Sequence, residues 1–90
     1  MISYEPFFNT LKEKNMSKYQ LIFYWGISSN TLRRMSHNEA ISTTTLNELC
    51  LILDCQVQDI IRFDATQEEL QQLEEQKQEI ANRKRNTVSA

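Results

Sequence analysis

Residues 17–36 read Ser17-Lys18-Tyr19-Gln20-Leu21-Ile22-Phe23-Tyr24-Trp25-Gly26-Ile27-Ser28-Ser29-Asn30-Thr31-Leu32-Arg33-Arg34-Met35-Ser36, and this stretch decides the fold. Gly26 is the only glycine of the 90 residues, and it separates two amphipathic runs. Glycine takes the left-handed conformation that closes a helix more readily than any other residue. Ser17 precedes the first run and has Gln20 three places on, the spacing of a capping box. Ser28 stands just after the glycine, placed to cap a second helix. The stretch predicts a helix over 18–25 with Leu21, Ile22 and Trp25 inward, then a helix over 29–36 with Leu32 and Met35 inward. Helix, single-glycine turn and capped helix is the layout of a helix-turn-helix.

Outward from this segment a short pattern recurs: an apolar residue, a serine, and an apolar residue four places after the serine. It occurs as Ile2-Ser3-Phe7, Met16-Ser17-Leu21, Ile27-Ser28-Leu32 and Ile41-Ser42-Leu46. This is the sequence form of a hydrophobic staple around an N-cap serine, so four helix starts are expected. A first helix over 4–14 then turns Phe7, Phe8 and Leu11 inward, with Pro6 tolerated in its first turn. A fourth helix over 43–53 turns in Leu46, Leu49, Cys50 and Leu53. A short fifth helix over 57–62 turns in Val57, Ile60 and Ile61. No strand pattern competes with these periods, and an all-α fold with short connections is expected.

The composition changes after Asp64. Residues 66–85 hold no aromatic residue and are rich in Gln, Glu and Lys. Thr66 and Glu69 form another capping box, so a helix is expected to begin there. Glu68, Glu69, Glu74 and Glu75 load its first half, and Arg83, Lys84 and Arg85 its end, both biases that suit the helix dipole. Leu70, Leu73, Lys77 and Ile80 are spaced three, four, three, which makes a two-heptad apolar seam with one lysine in it. The chain thus divides into a domain over 1–64 and a C-terminal helical extension over 65–90, with a frayed end over 86–90.

Charge and composition narrow the function. Twelve acidic and ten basic residues leave a net charge of −2. Residues 1–64 hold six basic and seven acidic side chains, and 65–90 hold four and five. Without a bulk positive field, nucleic acid can be held only through a local patch. Cys50 and Cys55 match no zinc spacing and are expected as reduced, partly buried thiols of a cytosolic protein. No apolar run approaches the roughly 18 residues of a membrane span. Tyr4, Glu5, Pro6 and Asn9 interrupt any signal-peptide pattern, so a cytoplasmic location is expected. No nucleophile elbow, phosphate loop or metal-spaced cluster is visible, and His37 is a lone histidine. Neither enzyme activity nor a metal or cofactor is expected.

The second helix of a helix-turn-helix lies in the major groove with its N-terminal half at the bases. Ser29, Asn30, Arg33 and Arg34 are accordingly expected at base edges, where asparagine pairs with adenine and arginine with guanine. Asn30 and Arg34 stand one turn apart on one face. Lys18, Ser28, His37 and Asn38 flank that helix and are expected at the DNA backbone.

Met16-Ser17-Lys18-Tyr19-Gln20-Leu21, Gly26-Ile27-Ser28 and Thr31-Leu32-Arg33-Arg34-Met35 together resemble the phage repressor and Cro-like (XRE-type) helix-turn-helix family. Thr45-Leu46-Asn47-Glu48-Leu49-Cys50 and Leu53-Asp54-Cys55-Gln56-Val57-Gln58-Asp59-Ile60-Ile61 resemble its fourth and fifth helices, so the likeness covers about residues 2–63. It implies a five-helix repressor-like domain, often dimeric, that binds double-stranded operator DNA and controls transcription. Two positions depart from the pattern. Ile22 stands where the family usually has a small residue, and His37-Asn38-Glu39 lacks the glycine usual after the third helix. A homodimer on a short palindromic site is therefore expected, with Ile61, Phe63, Leu70, Leu73 and Ile80 at the interface. The rival is a protein-interaction module, an antitoxin or antirepressor whose C-terminal helix binds a partner protein.

Overall fold

The computed structural model describes the backbone of residues 1–88 and the side chains of 1–83. In chain order it comprises β1 (Ile2–Ser3), α1 (Glu5–Glu13), α2 (Lys18–Phe23), α3 (Ser29–Ser36), α4 (Thr43–Leu53), a 3₁₀ turn (Val57–Asp59), β2 (Arg62–Phe63) and α5 (Gln67–Val88). The architecture is the expected helical one with a two-stranded ribbon added.

Three of the four serines cap helices. Ser17 accepts the Gln20 amide at 3.1 Å and its own amide reaches the Gln20 side chain at 2.9 Å, completing the box. Ser28 accepts from the Asn30 amide and Ser42 from the Thr45 amide, each at 3.1 Å. Each such cap is worth about 1 kcal/mol. Ser3 departs from the pattern only in register: it lies in β1 with Tyr4 flanking α1, and its hydroxyl still accepts from the Glu5 amide at 3.2 Å.

The helix ends follow one rule. Asn15, Asn38 and Asp54 adopt left-handed backbone with φ of 57°, 56° and 49°, beside Gly26 at 72°. After α1, α3 and α4 the same pair of bonds recurs, for instance Glu39 N–H to Arg34 C=O at 2.8 Å and Asn38 N–H to Met35 C=O at 3.2 Å. That pair is a Schellman closure, here built on Asn and Asp, which tolerate left-handed backbone better than other side-chain-bearing residues. Asn38 thus replaces the missing glycine.

The core is Tyr4, Phe7, Leu11, Leu21, Ile27, Leu32, Met35, Leu49, Leu53 and Ile60, drawn from α1 to α4 and the segments that flank them. Each such large side chain contributes about 1.5–3 kcal/mol by leaving water. Buried Thr10 donates its hydroxyl to the Asp59 carbonyl at 2.8 Å and joins α1 to the 3₁₀ turn. Ile22 is half-buried against the core, as are Cys50 and Cys55, both free thiols. Burial pushes the Cys55 thiol up to about 11, helped by its neighbours Cys50 and Asp59, so it stays protonated at neutral pH.

Three expectations are corrected. Residues 57–62 form no fifth helix: a 3₁₀ turn precedes β2, which pairs antiparallel with β1, Ile2 opposite Phe63 and Ser3 opposite Arg62. The remote partner strand satisfies backbone groups that a one-turn helix would leave open. Ile60 is still fully buried and Ile61 half-buried, but Val57 faces solvent. Trp25 is 53% exposed rather than inward. The second helix stops at Phe23, so Trp25 leaves the helical register, and Ile27 drops into the core instead, its amide on the Leu21 carbonyl at 2.9 Å.

At the far end Thr66 and Glu69 exchange the two bonds of the expected capping box, at 3.0 and 3.1 Å. The Met1 amine adds a 2.6 Å bond to Glu69 and another to the Asp64 carbonyl. The bond to that amine, then the bond to the Thr66 amide, pull the Glu69 carboxyl down to about 2. Every α5 residue from Gln67 to Arg83 is exposed, and the molecule is elongated, 62 × 23 × 22 Å. The backbone of α5 continues to Val88; residues 89–90 of the end expected to fray over 86–90, and the side chains of Lys84 and Arg85, lie outside the described residues.

Candidate nucleic-acid interface

The geometry of α3 follows from its two anchors. Leu32 and Met35 bury fully, and Ile27 pins the turn before it. The periodicity then leaves Ser29, Asn30, Arg33 and Arg34 on the solvent side, and all four are exposed. Ser28, used as the cap, is exposed at the start of the helix.

The four polar groups are not equivalent. Arg33 donates from Nε and a terminal nitrogen to the Asn30 side-chain oxygen, at 3.2 and 3.0 Å. Its other terminal nitrogen lies 3.9 Å from Glu39. Both ends of that ion pair are more than half exposed, so it stabilises little. It does hold Arg33 close to the protein surface. The Arg34 side chain has no hydrogen bond or ion pair among the described residues. Arg34 is therefore the cation of α3 best disposed to meet an external acceptor, with the fork geometry that matches guanine O6 and N7.

Around α3 the flanking residues divide in the same way. Lys18, at the start of α2, carries its ammonium 5.2 Å from the centre of the Phe8 ring, a contact that steadies the side chain while leaving its charge exposed. His37 places Nδ1 2.8 Å from the Arg33 carbonyl, so that nitrogen is engaged with the helix end. The Asn38 side-chain oxygen accepts from the Tyr4 amide at 3.5 Å, and the Tyr4 hydroxyl donates to the Glu39 carbonyl at 2.7 Å. Asn38 thus shapes the loop after α3 and ties it to the start of α1.

Two features of this region escaped the sequence reading. Glu39 sets a carboxylate beside Arg33, which the five-residue step from Arg34 around a left-handed turn produces and helical spacing does not. Tyr19, Phe23, Tyr24 and Trp25 form an exposed aromatic strip along α2 and the turn. Within it the Tyr19 ring centre lies 4.5 Å from Phe23 and 6.1 Å from Tyr24. The strip's sequence signal is the run of aromatics at 19, 23, 24 and 25, of which Trp25 is expected in the core.

No group of three or more His, Cys, Asp or Glu side chains able to hold a metal occurs among the described residues. No described helix is long and apolar enough to cross a membrane.

The model of the Cro/C1-type helix-turn-helix DNA-binding domain matches residues 9–66. The crystal structure of the transcriptional regulator VanUg (Form II) is similar at a TM-score of 0.62 and 33% identity, over 68% of this chain and 81% of that one. No curated protein matches the chain. Matched over more than half its length, with both capped helices and the glycine turn inside the match, the chain belongs to the Cro/C1-type helix-turn-helix DNA-binding domain family.

Proposed function

We propose that this protein is a sequence-specific transcriptional regulator that binds double-stranded DNA as a homodimer on a short palindromic operator. The observation that carries it is the outward face of α3. Four polar side chains stand exposed on a helix whose apolar side is fully buried, and one arginine among them has no internal partner among the described residues. Arg34 and Asn30 read base edges, with Arg33 exchanging its Asn30 and Glu39 contacts for DNA acceptors. Lys18, Ser28 and the His37-Asn38 corner hold phosphates. Each copy covers one half-site, the two spaced about one turn, roughly 34 Å, along the duplex. The apolar residues left exposed on β2 and α5, Phe63, Leu70, Leu73 and Ile80, support a self-association surface. On this proposal the protein performs no catalysis, needs no cofactor and works in the cytoplasm beside its DNA.

The exposed seam of α5 also favours a second possibility, a module that binds another protein as an antitoxin or antirepressor does. A genome-wide binding assay separates the two. A palindromic motif bound by the parent chain and lost in Arg34→Ala supports the operator binder; no enriched motif, with no gel shift on genomic fragments, refutes it.

A further inference from the structure

α5 presents an unpartnered seam, and its side chains specify how a second copy meets it. Leu70, Leu73 and Ile80 are each about half exposed. In heptad terms Leu70 and Lys77 hold the first core position, and Leu73 and Ile80 the second. Glu69, Gln76 and Arg83 flank one side of this seam; Gln67, Glu74 and Ala81 flank the other.

The two possible directions of pairing differ sharply in charge. In a parallel pair like core positions face each other, so Lys77 meets the partner's Lys77. The flanks then bring Glu69 beside the partner's Glu74, and the same repulsion recurs across the two-fold axis. In an antiparallel pair the first core position faces the second. Leu70 packs on the partner's Ile80, and the stem of Lys77 covers the partner's Leu73. The Lys77 ammonium then reaches the partner's Glu74, one residue along. Like flanks meet, so Glu69 faces the partner's Arg83. The two Glu74 carboxylates come near the axis, and each is matched by a lysine.

Local geometry fits this pairing. Glu69 takes the Met1 amine and the Thr66 amide on Oε1, and Oε2 accepts no bond among the described residues. Arg83 donates to Glu79 at 2.7 Å, one turn back on the same helix, which places its cationic head on the flank that Glu69 also occupies. The helix starts come about 24 Å apart along the shared axis at 1.5 Å per residue, within reach of two half-sites on one DNA face.

We infer that two copies of this chain associate through α5 in antiparallel orientation, with Leu70 against the partner's Ile80 and Glu69 against the partner's Arg83. This rests on the proposal that the protein acts as a homodimer. Two heptads with a lysine in the seam hold weakly, so the pair is concentration-dependent and DNA completes it.

Cysteine cross-linking in the full-length chain tests the direction. In a Cys50→Ser/Cys55→Ser background, Leu70→Cys, Ile80→Cys and the double variant are oxidised mildly and run on non-reducing gels. Circular dichroism verifies that each is folded. The double variant should yield several-fold more covalent dimer than either single variant, because only it places a thiol opposite a thiol. Leu70→Cys alone cross-linking as fully as the double variant would mean parallel pairing and overturn the inference. So would the absence of cross-linking in every variant, whether sedimentation shows a dimer or a monomer. Gel shifts on the same samples keep the two proposals apart. A cross-linked dimer that binds no DNA refutes the operator binder alone, and uncross-linked protein that binds a palindrome refutes the α5 pairing alone.

Discussion

Replacing Gly26 isolates the backbone cost of the turn that orients α3. Its φ is +72°, and a Cβ built there meets nothing within 4 Å. The penalty for a side chain is therefore conformational and not steric. Left-handed backbone costs an L-residue about 1–2 kcal/mol. Fewer unfolded conformations return about 0.4–1 kcal/mol when glycine becomes alanine. Gly26→Ala should thus lose about 1 kcal/mol net, and Gly26→Val, β-branched and worst suited to positive φ, about 2 kcal/mol. Gly26→Asn should lose least, since asparagine already occupies this conformation at 15 and 38. Urea denaturation of the three variants gives the energies directly. Thermal midpoints should fall by roughly 4–8 °C per kcal/mol in a domain this small. The ranking Asn, Ala, Val is the sensitive result. Equal midpoints for Gly26→Val and the parent would refute the left-handed turn, and a loss above about 4 kcal/mol in Gly26→Ala would show a steric contact that this geometry excludes.

Three further outcomes are expected. Arg34→Ala should cost about 1–3 kcal/mol on the cognate operator and relax one base position, with Arg33→Ala costing less, since Arg33 gives up internal partners to bind; competition gel shifts measure both. Tyr4→Phe leaves the Glu39 carbonyl without its 2.7 Å donor and should lose about 1–2 kcal/mol of stability in urea, while an unchanged midpoint would mean water replaces the hydroxyl at no cost. Because the folded Glu69 carboxyl sits at about 2, below its unfolded value of roughly 4.3, its contribution to anchoring α5 is fully present above the unfolded value. That contribution declines as pH falls through the window from about 5 to 2. An NMR titration of the Glu69 side chain should give a midpoint near the lower end, and one near 4.3 would show that the contact with Met1 and Thr66 does not form in solution.

How much was legible differs from element to element. Capping is local chemistry, so Ser17, Ser28, Ser42 and Thr66 announced their helices through residues no more than four positions away. Ser3 carried the identical local signal and its helix forms, with the Ser3 hydroxyl accepting from the Glu5 amide, but the cap position passes to Tyr4 because β2, some sixty residues on, offers Ser3 a backbone partner. The left-handed ends at Asn15 and Asp54 were visible in principle as Asn and Asp beyond an apolar period, yet the same residue types fill ordinary loops. For the candidate interface, the choice of α3 and its four exposed polar residues could be read from spacing. The difference between Arg33 and Arg34 could not, since it depends on where Glu39 lands after the turn.

The sequence by itself determined the helix starts, the glycine turn, the buried side of α3 and the change of character after Asp64, because caps, turn residues and apolar periods act within a few residues of themselves. Tertiary structure alone decided the β1–β2 ribbon, the outward place of Trp25, the Tyr4 clasp on the loop after α3, and the Met1 contact with Glu69. Each of these joins or separates groups through the packing of other elements, and a hydrogen-bonding group has no preference for one remote partner until the core has brought that partner within reach.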